Sequence, residues 1–341
     1  MLSFRKIFWL NVAIVIIVAF NLRAPICAII VGIFLIFIAE LIRSYLGVYG
    51  LFLGMLGIGC GIAIANVLLP SFIKEKFPKK MASMMGIYSL VLSISSIAGI
   101  ALSMPLLNIF DLAGAMVFWS VFSFIALMIY YPQAKNGRFF RTKKKESKKI
   151  NLLKNPTTWK ITLFMGFQSF LAYSLFFWYV QIIVEKGYDK DFATNMVLFS
   201  QLVAAPISLF GPLLLGKLKK SLHTPYIAIL CAMYAVSFGI LFAFDTRFMI
   251  MLAAFIVGFP WGGVFGIALL FIAQKSSNAK IAARLSAFAQ GFGYLIAAQG
   301  QWIIGFFHDM FGNFTSSICI LFIVGILVNI FGYLAYKSKV I

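Results

Sequence analysis

Long apolar runs alternate with short polar breaks along the whole chain. The runs lie at about 7–22, 25–43, 46–73, 83–107, 112–131, 157–184, 193–216, 224–243, 247–273, 281–307 and 315–336. A helix needs about 20 mainly apolar residues to cross a ~30 Å hydrocarbon core, and most of these runs meet that length. A membrane β-barrel would instead show short segments alternating in period two. The pattern therefore predicts an all-α, polytopic helical membrane protein with 10–11 transmembrane segments. The one long polar break, 132–156, divides it into an N-terminal bundle (1–131), a linker and a C-terminal six-helix bundle (157–341).

Composition agrees with the pattern. The 341 residues are 62% hydrophobic and 11% charged, against about 45–50% apolar in ordinary soluble domains. A formal charge of +20 would suit nucleic-acid binding, but the basic residues sit in alternate loops. Lys74, Lys76, Lys79 and Lys80 occupy one. The stretch "RFFRTKKKESKK" lies in 132–156. Lys217, Lys219 and Lys220, then Lys275, Lys280 and Arg284, then Lys337 and Lys339 follow. The intervening loops hold Asp111, then Glu185 to Asp191, Asp245 and Asp309. This is the positive-inside arrangement. It makes the basic loops cytoplasmic and a lipid bilayer, not nucleic acid, the partner. The linker is also basic enough to touch anionic lipid heads.

Arg5 and Lys6 place the N-terminus on the cytoplasmic side too, and the C-terminus follows the same rule. Two cytoplasmic termini need an even number of crossings, yet the runs number eleven. The mismatch falls at 7–43, where two runs are expected to be fused or altered. As one helix, 7–43 would be about 55 Å long at 1.5 Å per residue. It would have to tilt, kink near Pro25 or lie partly at the interface. The first run precedes no small-residue cleavage site and reads as a retained span, not a signal peptide.

An internal repeat is visible. "GIGCGIAIANVLLPSFIKEKF" from Gly57 parallels "GFPWGGVFGIALLFIAQKSSN" from Gly258 without gaps. Repeated helical bundles are a mark of secondary transporters. Four further stretches carry a family likeness: "NLRAP" at 21–25, "GIAIANVLLPSFIKEKFP" at 61–78, "GFQSFLAYSLFFW" at 166–178 and "LSAFAQGFGYLIAAQGQWIIGFFHD" at 285–309. They resemble, in order, motifs of the cyanate and 2-nitroimidazole transporter branch of the major facilitator superfamily. The resemblance implies a two-bundle fold that carries a small polar or anionic solute by alternating access. It also implies a departure. "NLRAPICAI" passes straight into "IVGIFLIFIAELIRS", which is similar to the family's third span, so the second helix is missing and the N-terminal bundle incomplete. The rival expectation is thus a transport-inactive remnant.

Transporter sites lie near the midplane, where repeats meet. The polar and aromatic residues within spans are therefore the candidate substrate ligands: Asn21, Arg23, Asn66, Tyr88, Gln168, Tyr173, Trp178, Trp261, Gln290 and Tyr294. Arg23 offers a planar donor fork to a small anion or nitro group; the plainer alternative is a structural arginine bonded to a helix carbonyl. Gln290 and Tyr294, four apart, share a helix face, whereas Gln168 and Tyr173, five apart, need not. The aromatics can stack a flat solute or simply pack. Glu40 and Arg43 are spaced to pair locally, although Glu40 is also the one acid well inside an apolar run. Gly50, Gly54, Gly57 and Gly61 form two GxxxG spacings, a device for close helix approach.

Cys27, Cys60, Cys231 and Cys319 are scattered singly, with no disulfide or metal-ligand spacing. No Ser/His/Asp or metal constellation supports an enzyme. The expectation is a cofactor-free, monomeric carrier in the cytoplasmic (inner) membrane, with a small molecule or small anion as substrate.

Overall fold

A computed structural model describes residues 25–135 and 151–341, and among them the regular elements are all helices, joined by short turns and loops. The elements are α1 (Pro25–Tyr45), α2 (Gly47–Lys76), α3 (Met81–Ile109), α4 (Leu112–Val117), α5 (Ser120–Lys135), α6 (Pro156–Glu185), α7 (Lys190–Lys217), α8 (Lys220–Ala243), α9 (Arg247–Gln274), α10 (Ala279–Phe311) and α11 (Thr315–Lys337). Ten segments among them are long and apolar enough to span a membrane, with α4 and α5 together making one. They match the second to eleventh apolar runs. Residues 7–22, Asn21, Arg23 and the "RFFRTKKKESKK" cluster lie outside the described residues, and so does the question of a fused first run.

Local chemistry sets the helix ends. Asn155 accepts the N–H of Thr157 while Pro156 opens α6. Asp189 accepts from Phe192 at the start of α7, and Asn278 from Ile281 at the start of α10. These side chains satisfy backbone donors that have no partner in the first helical turn. Gly312 ends α10 at φ +71°, a left-handed conformation that glycine adopts without a Cβ clash, and its N–H bonds the His308 carbonyl.

Packing divides the chain into two units. One comprises the described residues of Met1–Phe72 and Ala98–Ile150. There α2 lies against α1 through its glycines. A Cβ on Gly57 would meet the Ala39 Cβ at 2.6 Å, one on Gly54 the Ala39 carbonyl at 2.6 Å, and one on Gly61 the Gly32 carbonyl at 2.5 Å. Lipid is as apolar as leucine, so close backbone approach supplies the attraction that hydrophobicity supplies in water. The GxxxG spacings therefore build the α1–α2 contact. Glu40 and Arg43 form no ion pair among the described residues. Glu40 instead accepts a 2.6 Å hydrogen bond from Ser123 Oγ of α5, and Arg43 turns to the Met55 sulfur at 3.9 Å. The interhelical hydroxyl gives the carboxylate a partner that the one-helix spacing did not suggest.

The other unit comprises Ile73–Ile97 and Asn151–Ile341. In it α9 packs along α7, α6 along α10 and α8 along α11. Helix α9 is apolar on all sides, and Val257, Val264, Leu269, Leu270, Phe271 and Ile272 are fully buried; an all-round apolar helix belongs in the middle of a bundle. Glycines let it approach α7, with Gly211 and Gly263 in backbone contact. The internal repeat has a structural counterpart. Lys74 and Lys275 hold the same position in the two copies, and each ammonium caps helix-terminal carbonyls. Lys74 donates to the Ala273 carbonyl at 2.8 Å, and Lys275 donates to those of Tyr336 and Ser338. Cations at helix C-termini are favoured by the macrodipole. Burial lowers the pKa of Lys275 below its ordinary value.

Candidate functional site

In the second unit α6 and α10 run in contact, and two small residues set their spacing: a Cβ on Gly166 would lie 3.2 Å from the Gly293 Cα. Two helical turns beyond Gly166 on α6 stands Tyr173, and directly beside Gly293 on α10 stands Tyr294. Their rings meet edge to face with centroids 6.3 Å apart, and the Tyr88 phenol of α3 is near enough to Tyr173 to interact electrostatically. Tyr294 OH donates to Gln290 Oε1 at 3.4 Å, and Gln290 Nε2 donates to Ser286 Oγ at 2.8 Å. The 286–290–294 ladder is the i, i+4 geometry of one helix face. A turn beyond Tyr173, Phe176 packs edge to face on Trp261 at 4.8 Å.

Four sequence candidates thus converge: Tyr88, Tyr173, Gln290 and Tyr294, with Trp261 joining through Phe176. Tyr173 is 44% exposed although it lies at membrane depth, while Gln290 behind it is buried. That combination of open ring and fixed amide is the make-up of a ligand-binding surface: apolar walls with a few placed polar groups.

The remaining candidates are placed elsewhere. Gln168 is buried, and its amide is engaged by Ser169 Oγ at 2.6 Å and the Met165 carbonyl at 3.2 Å, so it braces α6 from within. Trp178 donates to the Gln301 carbonyl at 3.1 Å and packs on Phe314, near the end of its helix. Asn66 is half-buried in α2, in the first unit. Asn21 and Arg23 lie outside the described residues. Sequence reading missed Phe176 and Ser286. The first stands three residues from Tyr173 and the second four from Gln290, so helical spacing was the available signal. Among the described residues no group of three or more His, Cys, Asp or Glu side chains is arranged to hold a metal.

The family model described as "Major Facilitator Superfamily" matches residues 24–300. The chain belongs to that superfamily. Among similar proteins, the "2-nitroimidazole transporter" of Escherichia coli K12 is 33% identical over 301 residues, 87% of this chain and 75% of that protein. The uncharacterized transporter YycB of Bacillus subtilis 168 is 32% identical over 91% of this chain and 77% of its own length. The cyanate transport protein CynX of Escherichia coli K12 is 23% identical over 75% of this chain and 66% of its own. Solved structures agree on the fold. The fucose:proton symporter FucP of E. coli superposes with a TM-score of 0.72 at 15% identity, covering 98% of this chain and 90% of that one. A double-Trp mutant of XylE gives 0.75 at 12% identity, covering 96% and 85%. This facilitator is accordingly a multi-pass membrane transporter, not an enzyme, and the polar cluster lies within its spanning helices.

Proposed function

We propose that the protein is a secondary transporter moving a small polar solute across the cytoplasmic membrane by alternating access, as a monomer. The solute class is a nitroimidazole-like compound or a cyanate-like anion. The observation that carries this reading is the cluster of Tyr88, Tyr173, Tyr294 and Gln290: rings to stack a flat solute and an anchored amide to hydrogen-bond it. Support also comes from the relatives, one of which bears the name of 2-nitroimidazole and another that of cyanate. Arg23 is the sequence's candidate for meeting negative charge.

The test is solute-dependent thermal stabilisation of the purified protein in detergent. A ligand at 100 times its Kd adds about 2.7 kcal/mol by mass action. 2-Nitroimidazole or cyanate is expected to raise the melting temperature, with inert salts at equal ionic strength as controls. Arg23→Ala should remove the response to the anion while leaving membrane expression intact, since it takes a costly charge out of the span. If neither solute moves the melting temperature, the binding reading falls and the transport-inactive remnant takes its place.

The same reading places both termini and 132–156 in the cytoplasm. Ser147→Cys should therefore resist an impermeant thiol reagent applied to intact cells and react after lysis. Labelling of intact cells would reverse the topology.

A further inference from the structure

Helices α8 and α11 run antiparallel in contact, so the start of one stands beside the end of the other. The His223 ring meets that of Tyr336 with centroids 5.6 Å apart. Asn329 Nδ2 donates to the Ala228 carbonyl at 3.1 Å, and a Cβ on Gly325 would lie 2.9 Å from the Ala235 nitrogen. The contact leaves an open groove of about 430 Å³. Ala232, Val236 and Gly239 of α8 form one wall, and Phe322, Ile326 and Ile330 of α11 form the other. Val236, Ile326 and Ile330 are exposed, and both helices are long and apolar enough to span the membrane.

One face of α11 leads from this groove to a charge. Phe322, Ile326, Ile330, Tyr333 and Lys337 follow one another at spacings of three and four, which is a single helix face. Tyr333 is exposed, and the Lys337 ammonium lies 5.8 Å from the centre of its ring. The stripe passes from aliphatic to aromatic to cationic, the order of a bilayer from its interior to its headgroups.

The start of α8 supplies matching charge. Lys219 occupies the N-cap without a side-chain hydrogen bond, Lys220 opens the first turn, and that turn holds no acid. Cations are disfavoured at this positive end of the macrodipole, whereas phosphate is a common ligand of such a terminus. Lys219, Lys220 and Lys337 are exposed, and among the described residues none of them is in an ion pair. Neither 192–244 nor 310–341 contains an Asp or Glu. The two helices therefore gather positive charge that they do not neutralise, and the balancing anion comes from outside them.

We propose that the α8–α11 groove binds an anionic phospholipid of the leaflet bordering the basic loops: an acyl chain lies along Val236, Ile326 and Ile330, and the phosphate meets Lys219, Lys220 and Lys337. Exposed lysines at a membrane surface attract anionic headgroups. A zwitterionic lipid brings its own cation to the lysines, so it binds more weakly. A free phosphate compound has the charge but lacks the chain. The site is built from other helices than the Tyr173–Tyr294 cluster and does not depend on which solute is carried.

The experiment measures melting temperatures of the delipidated full chain in detergent with phosphatidylglycerol, phosphatidylcholine or glycerol 1-phosphate at equal concentration. The parent should melt about 2–4 °C higher with phosphatidylglycerol than with phosphatidylcholine, and glycerol 1-phosphate should leave it unmoved. Lys219→Ser/Lys220→Ser/Lys337→Ser should lose the preference. Gly239→Leu fills the groove, and its added Cβ stands at an ordinary 3.4 Å from Phe322; it should lose the response to both lipids. Lys79→Ser/Lys80→Ser removes two cations from another basic loop and should keep the preference. Equal loss in that control means diffuse attraction and overturns the site. So does a parent without the preference, an equal response to glycerol 1-phosphate, or a Gly239→Leu protein that responds as the parent does. Dimerisation of the parent that Gly239→Leu abolishes and phosphatidylglycerol leaves unchanged would give the groove to a second copy instead. If the triple variant does not fold, Lys337→Ser and Gly239→Leu decide.

Discussion

Gln290→Leu is expected to weaken solute binding about 10-fold to 100-fold without lowering expression. Gln290 is buried, and its amide is held by Ser286 and Tyr294 on one face of α10. A solute that hydrogen-bonds this group loses its partner when leucine replaces it, and a polar group left unsatisfied costs about 1–3 kcal/mol. Leucine has nearly the same length and suits a membrane helix, so folding should not suffer. Gln168→Leu is the informative contrast. Among the described residues its amide bonds within α6, so the substitution should alter thermal stability and leave the binding constant near that of the parent. The measurement is solute-dependent melting of all three proteins. Equal loss of binding in both variants, or none at Gln290, would remove the ladder from the site.

Gly262→Val should prevent stable assembly of the second unit. A Cβ at 262 would lie 2.8 Å from the Ala204 carbonyl carbon and 2.9 Å from its Cα. The obstacle is backbone, so no side chain can turn aside, and the two helices must separate. Overpacking of a tight core costs about 1–3 kcal/mol when side chains can adjust. Here the cost should exceed that, because the α7–α9 contact rests on close approach and not on expulsion of water. Gly291→Ala gives the matching control. Nothing lies within 4 Å of its added carbon, and removing a mid-helix glycine is favourable by about 0.5–1 kcal/mol. Size-exclusion profiles and melting curves of the two variants in detergent should diverge sharply. A monodisperse Gly262→Val protein with the parent's melting temperature would show that the α7–α9 approach is not needed.

The two glycines carry the same letter in the sequence, and only their neighbours distinguish them. The same is true of the glutamines. Gln168 and Gln290 are both single amides in apolar runs, but Gln168 turns to Ser169 beside it while Gln290 is presented next to a ring pair. Glu40 makes the point for charge. The three-residue spacing to Arg43 suggested a pair on one helix, and Ser123 from α5, 83 residues away, takes the carboxylate instead.

What the sequence determined by itself is the spans of the described residues, their ends and the family. In a bilayer every backbone polar group must be satisfied within its own helix, so each span is dictated locally by a run of apolar residues and its flanking polar breaks. That is why α2 to α11 fall within a few residues of the apolar runs, and why the GxxxG spacings on α2 could be read as a packing surface. Which polar side chains share a site was decided only by the tertiary structure. Helix α6 is apolar on nearly every face and carries no period that marks an inner side, so its rotation against α10 is set by where backbones can approach. The Gly166–Gly293 contact fixes that rotation, and it brings Tyr173 onto Tyr294 while leaving Gln168 in the packed interior.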